Sequence, residues 1–307
     1  MTTQAQAKPA AKAAPRAVSR GTYSTKAYPH WFYLPAGTIY VVLFIVPTIF
    51  AFYFSLTRWD LVTSTFIGLD NYAQFFSEPA LTKGLVNTLV YAVVTSVSKV
   101  VLGLLLAVLL TSGLHLRDLM RSVIFFPVLV STIGVGLTFQ VLMHPSKGAI
   151  NGLLKLIGIT GPGWLTDPNI ALLSVAAVDI WKGVGMATVI YIAGILAIPA
   201  EYYEAAKVDG ATAWQRFTKI VLPLAMPATT TVIILSLIGG LRSFDLIWSM
   251  TRGGPGFTSD VLASVVYKQY QAGFYGLSTA GNVVLFLLVA LIAVPLNFFL
   301  TRREVEL

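Results

Sequence analysis

The sequence predicts an all-α, polytopic membrane protein with six transmembrane helices, and three observations carry that prediction. Hydrophobic residues make up 56% of the 307-residue chain and charged residues only 11%, a composition that a soluble domain cannot carry without aggregating. Six apolar runs each supply the roughly 20 helical residues needed to cross a hydrocarbon core. Within that core the backbone must satisfy its own hydrogen bonds, which makes helices the spanning element for runs of this kind.

In chain order, residues 1–33 are rich in Ala, Lys, Pro, Thr and Ser without apolar periodicity, and read as a disordered basic tail suited to resting on anionic lipid. The runs follow at about 34–56, 85–111, 122–143, 170–198, 224–241 and 280–300. The first is read as a retained span, since no small-residue cleavage site follows it. Pro47, Pro127 and Pro295 lie inside runs and predict kinks, because neighbouring helices, hydroxyls or water can satisfy the freed carbonyls. No external segment reaches 40 residues, too little for a separate soluble domain.

Orientation follows from Lys and Arg in the connecting segments. Residues 1–33, 112–121, 199–223 and 301–307 hold twelve such residues, against seven in the longer alternate set 57–84, 144–169 and 242–279. Both termini and residues 199–223 are therefore predicted to be cytoplasmic. Trp31, Trp59, Trp164, Trp214 and Trp248 fall outside the runs or near their ends, as interfacial anchoring favours. The net charge of +8 is spread over the run ends and forms no dense basic patch with interleaved aromatics, so nucleic acid is not an expected partner.

Residues 201–223, EYYEAAKVDGATAWQRFTKIVLP, are the most informative connection. Glu201 and Glu204 share a helix face beside the small Ala205 and Ala206, the profile of a surface made for close approach. Asp209-Gly210 is a stop signal, Thr212 with Gln215 is a capping-box pattern, and Pro223 is expected to end the second helix. Two short helices joined at a glycine are predicted. A helical hairpin resting on the membrane surface is the plainer alternative, and Trp214, Phe217, Ile220 and Val221 suit it.

Glu204, Ala205, Ala206, Gly210, Ile220, Leu222 and Pro223 form the pattern EAA, three residues, G, nine residues, I, one residue, LP. This resembles the EAA loop of binding-protein-dependent ABC importer permeases, which lies before the last two spans in that family too. The segments FIGLDNYAQFF (66–76), KGAINGLL (147–154), IWKG (180–183) and FDLIWSMTRGGPG (244–256) further resemble the carbohydrate branch, of the maltose and glycerol-3-phosphate type. The sequence departs from that branch at Arg252, where a further glycine is common.

The resemblance implies a type I importer permease fold and a sugar or oligosaccharide as cargo. Glycerol phosphate, another polar nutrient or, more remotely, an ion-coupled secondary carrier are the alternatives. It also implies partners: a second permease subunit, two ABC ATPase subunits that hold ATP and Mg, and an extracellular solute-binding protein, in a bacterial or archaeal cell membrane. The loop would dock in a cleft of the ATPase. There Glu204 would meet a basic residue, Ala205, Ala206 and Gly210 would allow close approach, and Asp209 and Thr212 would shape the turn.

Charges near mid-membrane are functional candidates by default. Lys99 lies in the second run, Asp179 and Lys182 in the fourth. Lys99 and Asp179 differ in predicted depth by roughly 7 Å, a gap that a lysine side chain largely bridges, while Asp179 and Lys182 sit three apart on one helix. An ion pair fixing the bundle and contact with cargo are both open to them. Trp181 either stacks on a sugar or packs in the membrane. Asn87, Asp245 and Asn282, near the outer run ends, either line a hydrophilic path or sit at the interface. Thr229–Thr231 are expected to bond carbonyls near Pro227.

Several chemistries are unsupported. The chain has no cysteine and no G-x-x-x-x-G-K-[ST], hence no disulfide and no P-loop of its own. His30, His115 and His144 lack metal-ligand spacing. No G-x-S-x-G elbow and no intramembrane carboxylate pair point to hydrolysis.

Overall fold

The computed structural model describes residues 30–113 and 115–304. Most of the predicted basic tail lies outside these residues; its last four, His30–Tyr33, form a 3-10 turn. The chain divides into two compact units, one ending at Thr48 and one beginning at Ile49.

The helix α1 (Trp31–Ser55) opens the described chain. In the first unit it contains a π turn, Val41–Ile45, immediately before Pro47. The widened turn absorbs the missing proline N–H, and Thr48 Oγ1 donates to the Phe44 carbonyl at 2.6 Å.

The second unit begins with the end of α1 and a small hairpin of β1 (Thr57–Trp59) and β2 (Ser64–Phe66), antiparallel with Thr57 opposite Phe66. It is a minor addition to an otherwise helical chain. Asp60 holds its turn, accepting from the amides of Val62 at 2.9 Å and Thr63 at 2.5 Å and from the Thr63 hydroxyl at 2.8 Å. Helices α2 (Asp70–Ser77), α3 (Pro79–Thr111), α4 (Arg117–Leu129), α5 (Thr132–Leu142), α6 (Ala149–Leu156) and α7 (Ala171–Leu196) follow. Next come α8 (Ala200–Val208), α9 (Ala213–Leu224), α10 (Met226–Leu241), α11 (Asp245–Met250), α12 (Leu262–Gln271) and α13 (Tyr275–Thr301).

Among the described residues four helices, α1, α3, α7 and α13, are individually long and apolar enough to cross a membrane; counting each of two bent pairs, α4 with α5 and α9 with α10, as one span brings the number to six. The third span is broken, whereas the sequence predicts a kink at Pro127. The chain turns by 96° between α4 and α5, because Val130 adopts an extended backbone just after the proline-bearing turn. The fifth span also differs from its prediction. Pro223 does not end the helix, since the π turn Phe217–Val221 lies just before it and accommodates the lost donor. The break instead falls at Ala225, and α10 leaves it at 66°. Spans two and six begin earlier than predicted, at Pro79 and Tyr275.

Small residues set how closely these helices approach. A Cβ on Gly103 of α3 would lie 2.8 Å from that of Ala187 on α7, and one on Gly240 of α10 would lie 2.7 Å from the Ala92 Cα. Of four apolar clusters among the described residues, two join the central helices: Tyr91, Val175, Val178, Ile247 and Met250 join α3, α7 and α11, while Ala107, Leu110, Tyr191, Ile195 and Val221 join α3, α7 and α9.

Candidate functional site

Helices α8 and α9 fold as local chemistry dictates. Helix α8 ends in a Schellman arrangement, in which the Gly210 amide donates to the Lys207 carbonyl at 3.2 Å and the Ala211 amide to the Ala206 carbonyl at 2.8 Å. That closure requires a left-handed residue after the helix, and Gly210 supplies it at φ +70°. Two residues on, Thr212 caps α9: its hydroxyl accepts from the Gln215 amide at 3.2 Å, and the Gln215 side chain accepts from the Thr212 amide at 2.7 Å. Both bonds of the capping box read from the sequence are present.

One side of this segment is fixed to the bundle. Tyr203 and Phe217 pack against the cluster of Ala107, Leu110, Tyr191 and Val221, and burial pushes the Tyr203 hydroxyl above its ordinary pKa, so it stays protonated. The other side is open. Glu201, Glu204, Ala205, Asp209, Gly210 and Thr212 are exposed, and beside them Val208 is 88% and Trp214 71% exposed. Ala206 and Ile220 are half-buried, Leu222 is exposed, and Pro223 sits half-buried behind the π turn. The result is an anchored platform that presents the carboxylates of Glu201, Glu204 and Asp209 beside the bare side chains of Val208 and Trp214.

Among the spans, Lys99 Nζ donates to Asp179 Oδ2 at 2.7 Å. Gly183, one turn beyond Asp179, gives the lysine its room: a Cβ there would lie 2.6 Å from Lys99 Cε. Lys182 takes no part in an ion pair among the described residues, so Asp179 bridges helices rather than pairing along its own. Trp181 is 45% exposed and meets Phe139 of α5 at 5.3 Å between ring centroids.

The three run-end residues have separate settings. Asn87 is buried, and its amide donates to the carbonyls of Thr258 and Asp260 at 3.0 and 2.8 Å; it ties α3 to the loop before α12. Asp245 borders a cavity of about 270 Å³ with Gln140, Phe244, Trp248 and Arg252. Asn282 borders another, about 250 Å³, with Tyr267, Tyr270 and Ser278. Thr229 and Thr231 donate to the carbonyls of Ala225 and Pro227, whereas the buried Thr230 hydroxyl has no partner.

The loop that Asn87 holds is a feature the sequence reading missed. Asp260 is fully buried, accepting from Lys268 Nζ at 2.6 Å and Ser264 Oγ at 2.8 Å. Its carboxylate lies under Gly253, where a side chain would collide with it. Glycines and an acid in a polar loop were the only available signals.

Comparison with known proteins places this geometry in context. Residues 99–303 match the family described as binding-protein-dependent transport system inner membrane component. The chain is 34% identical over 287 residues to the probable ABC transporter permease protein YurN of Bacillus subtilis, covering 91% of this chain and 98% of that protein. It is 33% identical to the trehalose/maltose transport system permease protein MalF of Thermococcus litoralis, over 83% and 88% of the two chains. A chain from the crystal structure of a bacterial ABC transporter that imports alginate shares the fold, with a TM-score of 0.79 at 24% identity over 88% of this chain and 94% of that one. With its family match spanning most of its length and its helices arranged as permease helices, this multi-pass membrane chain belongs to the family of binding-protein-dependent transport system inner membrane components.

Proposed function

We propose that the chain is one permease subunit of an ATP-driven importer for a sugar or oligosaccharide, with α8, α9 and the turn between them as the docking element for an ATPase subunit. The observation that carries this is the anchored platform at Ala200–Leu224: Tyr203 and Phe217 pack, half-buried, against the bundle core, while Glu204, Val208 and Trp214 face outward. A domain docked there moves the spans only if the connection does not yield. The Schellman closure, the capping box and the packed aromatics supply that stiffness.

In this reading the chain binds no cofactor and is not itself an enzyme; ATP and Mg are held by two separate ATPase subunits. A second permease subunit with its own docking segment completes a heterodimer, and an extracellular solute-binding protein delivers the cargo. The termini and residues 199–223 lie on the cytoplasmic side of a bacterial or archaeal cell membrane. Binding of ATP biases the access equilibrium only through contacts that differ between the outward and inward states, and the platform is where those contacts are made. A sugar cargo draws support from the trehalose/maltose relative.

Proteoliposomes carrying the full complex, supplied with the solute-binding protein and internal ATP, test the reading. ATP-dependent accumulation of maltose, trehalose or a related oligosaccharide is expected. Uptake that ignores ATP but follows an ion gradient would contradict it.

A further inference from the structure

We infer that the cavity between α5 and α11 is an entry subsite for a neutral saccharide, built by Trp248, Arg252, Asp245 and Gln140. The inference rests on the sugar-importer reading and adds a location and a set of contacts to it.

The starting point is Arg252. It sits at φ +49°, in the left-handed region that costs a non-glycine residue free energy and persists only where surrounding structure enforces it. Here the surroundings do enforce it. The Arg252 amide donates to the Ile247 carbonyl at 3.1 Å, the next residue, Gly253, lies over the buried Asp260 carboxylate, and Asn87 holds the far end of the loop. The Arg252 side chain therefore projects from a backbone that the loop holds fixed.

That side chain borders the cavity, a space of about 270 Å³ that suits a single sugar ring. Besides the Trp248 indole, four polar side chains line this cavity, those of Arg252, Asp245, Gln140 and Ser249; Ser249 Oγ donates to the Leu246 carbonyl at 3.2 Å, and the other three have no hydrogen-bond or ion-pair partner among the described residues. Arg252 and Asp245 have opposite charge and line the same cavity without closing on each other. Together they offer donors from the guanidinium, an acceptor from the carboxylate and both from the amide, the complement of neighbouring hydroxyls on a sugar. The two opposite charges sum to zero over the cavity, which favours a neutral ligand over an acidic one.

Trp248 supplies the apolar surface on which a sugar's C–H face rests. Its indole is already held, stacked on Phe244 at 5.6 Å and 17° and edge-on to Tyr267 at 4.9 Å. Leu137 and Ile133 line the α5 side of the cavity, and α5 already lies close against α11, where Gly136 packs directly on Ser249. Little ordering remains to be done when a ligand arrives.

The absence of native cysteine allows a direct test. Leu137→Cys places one thiol on the cavity wall, outside the polar set. In the assembled complex, its labelling by a membrane-impermeant maleimide is expected to fall about tenfold when an imported sugar is present at roughly ten times its half-protecting concentration. Maltose, trehalose and short maltodextrins are the probes. Adding Arg252→Gly, which relieves the backbone strain and so keeps the loop folded, is expected to remove that protection while leaving the sugar-free labelling rate unchanged; Trp248→Ala is also expected to remove the protection, each variant being compared with its own sugar-free rate. A sugar that the same preparation imports but that gives no protection overturns the subsite and leaves the importer reading intact. Import of no sugar at all contradicts the importer reading, and the subsite falls with it.

Discussion

Lys99 of α3 and Asp179 of α7 are joined across the bundle by a 2.7 Å ion pair, with side-chain exposures of 10% and 22%. Removing one partner of such a pair strands the other charge in a poor solvent, at a cost of about 3–5 kcal/mol, whereas replacing both by apolar groups is close to neutral. Lys99→Met alone is therefore expected to lower the unfolding temperature of the purified protein sharply, and Lys99→Met with Asp179→Leu to restore most of it. Equal losses in single and double variants would show that the pair is not coupled.

Gly210 has open space around the position where a Cβ would sit, yet its φ is +70°. The cost of Gly210→Ala is then purely one of backbone conformation, about 1–2 kcal/mol, and falls on the turn between α8 and α9. Thr212→Ala removes the cap that starts α9, at about 1 kcal/mol. Hydrogen exchange over residues 209–216 is expected to quicken in both variants while that of α3 stays as it was. Unchanged exchange in the turn would contradict the stiffness assigned to it.

Asn87→Leu deletes two side-chain hydrogen bonds that hold the 258–260 carbonyls, each worth about 1 kcal/mol net and more where the carbonyl is left buried without a partner. Faster exchange at residues 251–262 is the expected outcome. The same variant should leave exchange in α8 and α9 as it is, since Asn87 holds only the loop before α12; loosening there would refute a local role.

The Asp60 carboxyl is held below the ordinary carboxylate range, chiefly by the hydrogen bonds from the backbone and side chain of Thr63 and then from the Val62 amide. A depressed folded-state pKa means that the turn's stabilisation is fully present above the ordinary Asp value and is lost as pH falls through the lowered one. Protection of the Thr63 amide, corrected for intrinsic exchange, is expected to hold down to the ordinary Asp range and to fall only below it; Asp60→Asn should remove the pH step. A step in the variant would assign it to another group.

Sequence carries this structure as far as neighbours in the chain decide it. The apolar runs, the glycine after α8 and the Thr212–Gln215 box are settled by residues within a few positions of one another; the glycine and the box appear where the sequence puts them, and the runs appear as helices whose ends and breaks differ. Pro127 and Pro223 mark irregularity correctly but not its form, because whether a proline kinks, breaks or rides on a π turn depends on the turns packed beside it. Depth counting brings Lys99 and Asp179 near each other; the choice of Lys99 over Lys182 needs the room that Gly183 leaves on the facing helix. Asn87 reads as a run-end polar residue because its two acceptors lie 171 and 173 residues away. The left-handed backbone at Arg252 is illegible for a related reason, being imposed by Asp260 and by the loop's far anchor.

The central claim, that the exposed edge of α8 and α9 receives an ATPase subunit, is tested most directly by co-purification. Wild type and Glu204→Lys would be expressed at equal membrane levels with the ATPase subunit of the same transport system, extracted in mild detergent and isolated by a tag on the permease. Retention of the ATPase by wild type and its loss from Glu204→Lys is the predicted result. Equal retention by both, or by neither, would contradict the assignment of that edge as the docking site.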